Sequence, residues 1–185
     1  MGGLRVIAGI AKGRKLRSVP GDMTRPITDR TKAALFNIIS VDIVGTSFLD
    51  LFGGTGSVGI EALSRGAKFA RFLDVQRIAI QTIKTNLKDT GLFEYAEVNL
   101  QDAFQFLQSK PDRAFEYIYV APPQYKGIWE KAVIMIDENS SWLTQDGWVV
   151  VQIHPKEYKK THLTHLEEFD RRDYGSTCLV FYRRP

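Results

Sequence analysis

Cysteine is almost absent from this chain. Cys178 is the only one in 185 residues, so no internal disulfide can form, and a reducing compartment suits the sequence. Cys178 sits in a strand-like run and reads as a small core residue, not a nucleophile. Long hydrophobic runs are missing too. Stretches such as residues 148–151 are far too short to span a bilayer, and Met1-Gly2-Gly3-Leu4-Arg5 lacks the apolar segment of a secretory signal. These absences predict a cytoplasmic protein with no membrane partner. Histidine is scarce. His162 and His165 have no third ligand nearby in sequence, so no metal is expected, and His154 before Pro155 reads as structural. No internal repeat and no low-complexity segment occurs.

Acidic residues are scarce in one region only. Residues 1–36 hold Asp22 and Asp29 against Arg5, Lys12, Arg14, Lys15, Arg17, Arg25, Arg30 and Lys32. That arm carries +6, and the remaining 149 residues sum to −2. A basic arm on a nearly neutral body suits a polyanion such as RNA, with Arg5, Lys12, Arg14, Lys15, Arg17, Arg25 and Arg30 as the candidate contacts. Lys156, Lys159 and Lys160 read as a solvated face, and Arg183 with Arg184 as a basic terminus. An apolar content of 44% with 25% charged residues is ordinary for a globular domain with a full core. The chain divides into a basic N-terminal hairpin and helix, residues 1–40, and a main domain, residues 41–185.

Residues 4–9 and 14–19 read as two short strands around Gly9 and Gly13, hence a basic hairpin. Thr24-Arg25-Pro26 is an extended joint, since Pro26 pushes Arg25 out of helical space. Thr28 or Asp29 can cap a helix carrying Ala33, Ala34, Leu35, Phe36, Ile38 and Ile39. Strands at 47–52, 69–75, 95–100, 115–121 and 148–153 then alternate with helices at 57–65, 78–88, 103–108 and 129–137. Two consecutive strands close the chain, at 166–171 and 177–182, joined through Asp173-Tyr174-Gly175. An alternating βα series ending in antiparallel strands predicts an α/β, Rossmann-like seven-stranded sheet, the arrangement of class I methyltransferases.

Phe48-Leu49-Asp50-Leu51-Phe52 runs into Gly53-Gly54-Thr55-Gly56-Ser57-Val58-Gly59. Gly54, Gly56 and Gly59 fit G-x-G-x-x-G, and Asp74 follows Gly54 by 20 residues. That is the layout of a nucleotide pocket in a βαβ unit. Asp50 selects among nucleotides. A dinucleotide pyrophosphate is anionic and seeks the bare amides of a helix N-terminus, where a carboxylate repels it. S-adenosylmethionine carries a sulfonium and an ammonium group and no phosphate, so Asp50 points to it; the alternative is that Asp50 merely caps the turn. The expected cofactor contacts are Asp50, Phe52, Gly53, Gly54, Gly56, Asp74 and Asp102. Asp74 can accept the ribose hydroxyls. Asp102 can take the adenine amino group or serve as a helix N-cap.

The fourth strand exits through Ala121, Pro122, Pro123, Gln124 and Tyr125. Two prolines make that exit rigid and leave carbonyls that can receive an amino-group substrate. Tyr125 can stack on an unstacked base.

With these residues in view, the chain resembles the bacterial 16S ribosomal RNA guanine-N2 methyltransferases of the small ribosomal subunit, along essentially its whole length. The markers are Arg5-Val6-Ile7-Ala8-Gly9, Lys12-Gly13-Arg14-Lys15-Leu16, Thr24-Arg25-Pro26-Ile27-Thr28-Asp29-Arg30, Lys32, Ala34-Leu35-Phe36-Asn37-Ile38 and Asp50-Leu51-Phe52. They continue through Gly59-Ile60-Glu61-Ala62-Leu63-Ser64-Arg65-Gly66-Ala67, Tyr174-Gly175-Ser176-Thr177 and Phe181-Tyr182. The resemblance implies methyl transfer from S-adenosylmethionine to the exocyclic N2 of one guanine in assembling 30S particles, by a monomer. A second reading is a catalytically silent rRNA-binding assembly factor that keeps the pocket. The chain departs from the family at its catalytic signature, Asp-Pro-Pro-Tyr or Asp-Pro-Pro-Phe. Here it reads Ala121-Pro122-Pro123-Gln124, with Tyr125 one residue late. Asp74 replaces the usual Glu, and Gly53 and Thr55 replace Ala and Ser.

Overall fold

In the first half of the chain, short runs at residues 47–50 and 69–74 build largely buried parallel strands, and the strand at residues 96–100 beside them is partly exposed. The computed structural model describes residues 3–21 and 26–185. Its chain forms a seven-stranded mixed sheet and clusters into two compact units, Met1–Gln101 and Asp102–Pro185. The seven-stranded α/β fold expected from the sequence is the one observed.

The first unit carries three parallel strands in the order β3-β2-β1: β1 (Ser47–Asp50), β2 (Phe69–Asp74) and β3 (Ala96–Leu100). All four residues of β1 are buried, as befits a strand with both faces covered. Helix α1 (Asp29–Ile39) starts at Thr28, whose Oγ1 accepts the Thr31 N–H at 3.2 Å. Helix α2 (Ser57–Ser64) is buried along its whole length. Helix α3 (Arg77–Asp89) turns Ile80, Ile83 and Leu87 inward, at the spacing of one helical face. Residues 1–40 lie in the same unit as these strands and helices.

The arm departs from expectation. Residues 4–9 and 14–19 do not form regular strands. They meet at a single antiparallel bridge, Arg5 with Lys15, supported by Val6 N–H to Arg14 O and Leu16 N–H to Leu4 O. Competing acceptors explain the loss of the ladder. The Ile7 and Ala8 amides donate to Glu61, the Ala11 amide to Ser64 Oγ, and the Arg17 amide to Asn86. The expected joint at Thr24-Arg25 lies outside the described residues.

The second unit carries α4 (Ala103–Gln108), β4 (Phe115–Val120), α5 (Ile128–Glu138), β5 (Leu143–Ile153), β6 (Glu167–Tyr174) and β7 (Thr177–Arg183), with strands in the order β4-β5-β7-β6. β4 and β5 are parallel, and β7 is antiparallel to both β5 and β6. The last two strands join through Gly175 and Ser176; Asp173 and Tyr174, expected in the turn, are instead paired residues at the end of β6. β5 begins five residues earlier than expected. Its register against β4 slips between Phe115 and Tyr117, and Asp146 there has φ 62. That irregular start is held by Arg184, which bonds the backbone of Asp146 and Gly147. Trp142 anchors the core, its ring centroid 4.2 Å from Phe106, with its Nε1–H donated to Leu107 O.

Candidate functional site

Strand β1 ends at Asp50, and the chain turns through residues 51–56 into α2. Four amides of the turn have acceptors within the protein. Gly53 N–H donates to Leu73 O at 2.7 Å, Gly54 N–H to Asp74 Oδ2 at 3.0 Å, and Gly56 N–H to Gly53 O at 2.8 Å. Ser57 N–H points to Thr55 Oγ1 at 3.3 Å. A phosphate group would need those donors. With them engaged inside the protein, the turn is a poor cradle for a pyrophosphate. Asp74 is half-buried, and its Oδ1 accepts the Gln76 N–H at 2.9 Å. Each Asp74 oxygen therefore holds one backbone donor and keeps a lone pair for a ligand hydroxyl.

Asp50 is 2% exposed, and its Oδ1 has no hydrogen-bond partner. Burial pushes its carboxyl well above the usual range, the charge of Asp74 adds to the rise, and the Phe52 amide opposes it. A buried carboxylate oxygen left unpaired is costly, and a cation with N–H donors relieves both the charge and the vacancy. Gly54, at φ +56, adopts a backbone region that side chains disfavour, and no atom lies within 4 Å of where its Cβ would be. Gly59 has a packing role: a Cβ there would lie 2.3 Å from the Phe72 ring. The set fits a small cationic ligand with hydroxyls better than a dinucleotide.

The arm is fixed to this unit by polar contacts. Lys32 is wholly buried. Its Nζ donates to Arg5 O at 2.6 Å and Ser57 Oγ at 2.9 Å, and lies 3.3 Å from Glu61 Oε2. Desolvation holds the Lys32 ammonium below its ordinary pKa, against the raising effect of Glu61. Arg65 Nε donates to Glu61 Oε1 at 2.8 Å. Asn86 closes the far end, accepting Arg17 N–H and donating to Arg17 O and Thr55 O. Of the candidate RNA contacts, Arg5 pairs with Asp29 and Arg17 with Asp89. Lys12, Arg14, Lys15 and Arg30 are exposed and make no ion pair among the described residues. Arg25 lies outside the described residues.

In the second unit, Asp102 caps α4: its Oδ1 accepts Phe104 N–H at 2.9 Å and Gln105 N–H at 3.0 Å. After β4, Ala121 is half-buried and Pro122 buried, while Pro123, Gln124 and Tyr125 are exposed. Tyr125 has φ 62, and its N–H donates to Glu157 Oε1 at 2.7 Å. Cys178 is buried, and its thiol is pushed up to about 12, chiefly by burial and then by Asp173, so it is inert as a nucleophile. Among the described residues, no three His, Cys, Asp or Glu side chains are grouped to hold a metal ion. No described helix is long and apolar enough to cross a membrane.

Sequence reading missed Glu157 and the roles of Lys32 and Glu61. The signal for Lys32 was present, since it shares the i, i+3, i+4, i+7 stripe with Leu35, Phe36 and Ile39, all buried. Glu61 interrupts an otherwise apolar or small-residue helix in the same way. Nothing local marks Glu157.

Comparison with known proteins places the chain in a group. The family described as Conserved hypothetical protein 95 matches residues 4–183. A Bacillus subtilis (strain 168) protein, provisionally named rRNA methyltransferase YlbH, is 38% identical over 98% of this chain and 99% of its own length. Ribosomal RNA small subunit methyltransferase D of Haemophilus influenzae is 35% identical, covering 98% of this chain and 93% of that protein. A solved Escherichia coli structure, provisionally named methyltransferase yhhF, is 31% identical with a TM-score of 0.87, covering 99% and 98% of the two chains.

Proposed function

The chain belongs to the Conserved hypothetical protein 95 family, and from that premise we propose that it is an S-adenosylmethionine-dependent methyltransferase of 16S rRNA, acting on the exocyclic N2 of a guanine in assembling 30S particles. The observation that carries the reading is Asp50 Oδ1, a buried and unpaired carboxyl oxygen beside a turn whose Gly53, Gly54 and Gly56 amides already have acceptors. Relatives named as rRNA methyltransferases, matched over nearly their full length, support the substrate class. The cytoplasm is the expected location, where such particles assemble.

Asp50, Phe52, Gly53, Gly54, Gly56 and Asp74 would hold the cofactor. Asp102 would add a contact through its Oδ2, because Oδ1 is committed to the α4 amides. When bound, S-adenosylmethionine supplies an electrophilic methyl group on a sulfonium sulfur and departs as S-adenosylhomocysteine. Asp50 offsets the positive charge. Asp74 orients the ligand through hydroxyls while keeping the Gly54 turn in place. In the exit loop, the carbonyls of Ala121 and Pro122 would accept the N–H bonds of the target amino group and turn its lone pair toward the reacting centre. Gln124 and Tyr125 assist from exposed positions. The exposed cations of the arm, Lys12, Arg14, Lys15 and Arg30, would engage phosphates, with Arg5 and Arg17 joining them on exchange of their carboxylate partners.

A second reading follows from Ala121. The side chain that usually accepts the amino proton is missing, and losing one such acceptor costs on the order of 10²–10³ in rate. A silent rRNA-binding assembly factor would keep the same pocket. Single-turnover transfer of tritiated methyl to 30S particles lacking the modification separates the two. Transfer to one guanine N2 supports the enzyme, and tight binding without transfer supports the factor.

A further inference from the structure

One carboxylate ties the loop after β4 to the turn after β5. Glu157 Oε1 accepts the Tyr125 N–H at 2.7 Å, and Glu157 Oε2 accepts the His154 N–H at 3.1 Å. His154 Nδ1 accepts the Lys156 N–H at 3.1 Å. With Nδ1 used as an acceptor, the neutral imidazole carries its proton on Nε2 and presents it as a donor.

Tyr125 is the unusual member. Its φ of 62 lies in the left-handed region, which a tyrosine disfavours, and its ring is 65% exposed. The ring centroid is 5.7 Å from that of His154, with the planes at 39°. Core packing does not account for a strained backbone whose side chain is left in solvent. The charge-assisted bond from Glu157 offsets the strain. What it secures is an aromatic face in a fixed place, flanked by a second ring. Gln124, where relatives of the resembled family carry the aromatic residue, is exposed and has no ring to offer.

We propose that Tyr125 and His154 form a two-ring platform on which a purine base of the RNA stacks, and that Glu157 is the positioning residue that holds it. The proposal rests on the rRNA reading above and deepens it. Base–aromatic stacking needs only an accessible π-face, which the left-handed turn at Tyr125 provides one residue later than the usual position. His154 thereby gains a role beyond the structural one suggested by its place before Pro155.

A double-mutant cycle tests it, read as retention of undermethylated 30S particles on filters with S-adenosylhomocysteine present. Glu157→Ala and Tyr125→Ala should each weaken retention ~10-fold, the size expected for one lost stacking contact. The double variant should be no weaker than Tyr125→Ala alone, because Glu157 acts through that ring. Tyr125→Phe should stay within ~2-fold of the parent, since the face and not the hydroxyl is used. Glu157→Gln, which keeps one acceptor and the side-chain volume, should fall in between. S-adenosylhomocysteine affinity should be unchanged in all of them, which shows that the variants stay folded. Parent-like retention by Glu157→Ala, or a ~100-fold additive loss in the double variant, would overturn the platform. Methyl transfer by the parent is scored separately. A parent that transfers methyl while the cycle shows no coupling keeps the function and loses the platform. A parent that neither binds nor methylates 30S particles loses both.

Discussion

Lys32 Nζ lies 3.3 Å from Glu61 Oε2, and both side chains are fully buried. The pair joins α1 to α2, and the Glu61 carboxylate also takes the Ile7 and Ala8 amides and the Arg65 guanidinium. The basic arm is therefore held by a saturated buried carboxylate, with only part of its surface given to solvent. An arm anchored this way presents its outer cations at fixed positions, which lowers the entropy lost on meeting a polyanion.

Glu61→Ala should accordingly be among the most damaging single changes. It leaves the buried Lys32 ammonium without its counter-charge, though still bonded to Arg5 O and Ser57 Oγ, and two part-buried amides without an acceptor; breaking a buried pair from one side costs about 3–5 kcal/mol. Urea unfolding measures this directly. A loss below about 1 kcal/mol would show that water replaces the carboxylate and that the arm is not held through it.

Asp50 should make the ligand-free protein less stable as pH rises. A carboxyl whose folded pKa is raised favours folding at low pH, and that advantage disappears as pH climbs through the folded value. Asp50→Asn should therefore raise the thermal midpoint of the ligand-free protein at neutral and higher pH and remove this decline. The same change should weaken S-adenosylmethionine binding. In the parent, that affinity should increase with pH as Asp50 ionises. Thermal melts and titration calorimetry across about pH 5–8 test both signs. A midpoint in Asp50→Asn below the parent's throughout would remove the assigned strain.

The pattern of β1-turn-α2 was legible because its causes are local. Glycine spacing, an apolar strand and an acid 20 residues on each restrict the backbone or its ligand. Helix α4 was read to the residue because Asp102 caps it and Ser109 ends it. The arm was misread as regular strands, because its amides are claimed by Glu61, Ser64 and Asn86, which lie 53 to 69 residues away in sequence. The clasp at Glu157 was invisible for the same reason, being 32 residues from Tyr125. The start of β5 was missed because its first turn is irregular and held by Arg184 at the far end of the chain.

Asp74→Ala should weaken cofactor binding by about 1–3 kcal/mol through the loss of a charged hydroxyl acceptor. It also frees the Gly54 and Gln76 amides. Two freed donors at this turn should begin to tolerate phosphate, so the variant should lose less affinity for adenosine monophosphate than for S-adenosylhomocysteine. Calorimetry with both ligands, and with NAD as the control, reads the shift. Heat for NAD with the parent, and none for S-adenosylhomocysteine, would end the methyltransferase reading.

Reversing Arg14 and Lys15 to glutamate should weaken RNA binding and flatten its salt dependence. Both are exposed and unpaired among the described residues, so each phosphate contact removed takes its released counterions with it. S-adenosylhomocysteine affinity should not change, because the Lys32–Glu61 network anchoring the arm is untouched. Retention of 30S particles at several salt concentrations is the measurement. An unchanged slope in the doubly reversed protein would place the RNA contacts elsewhere.

The most discriminating substitution is Ala121→Asp. Guanine N2 methylation should survive in the parent. In the first unit Asp50 keeps one oxygen unpartnered, Gly54 is open and Asp74 holds the turn, and in the second Pro122 with Pro123 follows β4. A chain selected only to bind RNA has no need of a carboxyl kept buried, raised in pKa and with one oxygen unpartnered. Ala121 is half-buried at the end of β4, so an aspartate there can reach solvent without entering the core. The variant should fold like the parent and transfer methyl faster, up to the roughly 10²–10³ that one well-placed acceptor supplies. Single-turnover tritium transfer to unmodified 30S particles decides between two histories. Transfer by both proteins, faster in Ala121→Asp, means that backbone carbonyls sustain a slow enzyme. Transfer by Ala121→Asp alone means that the natural protein has an intact cofactor pocket and a disabled catalytic loop, and that its present work is binding.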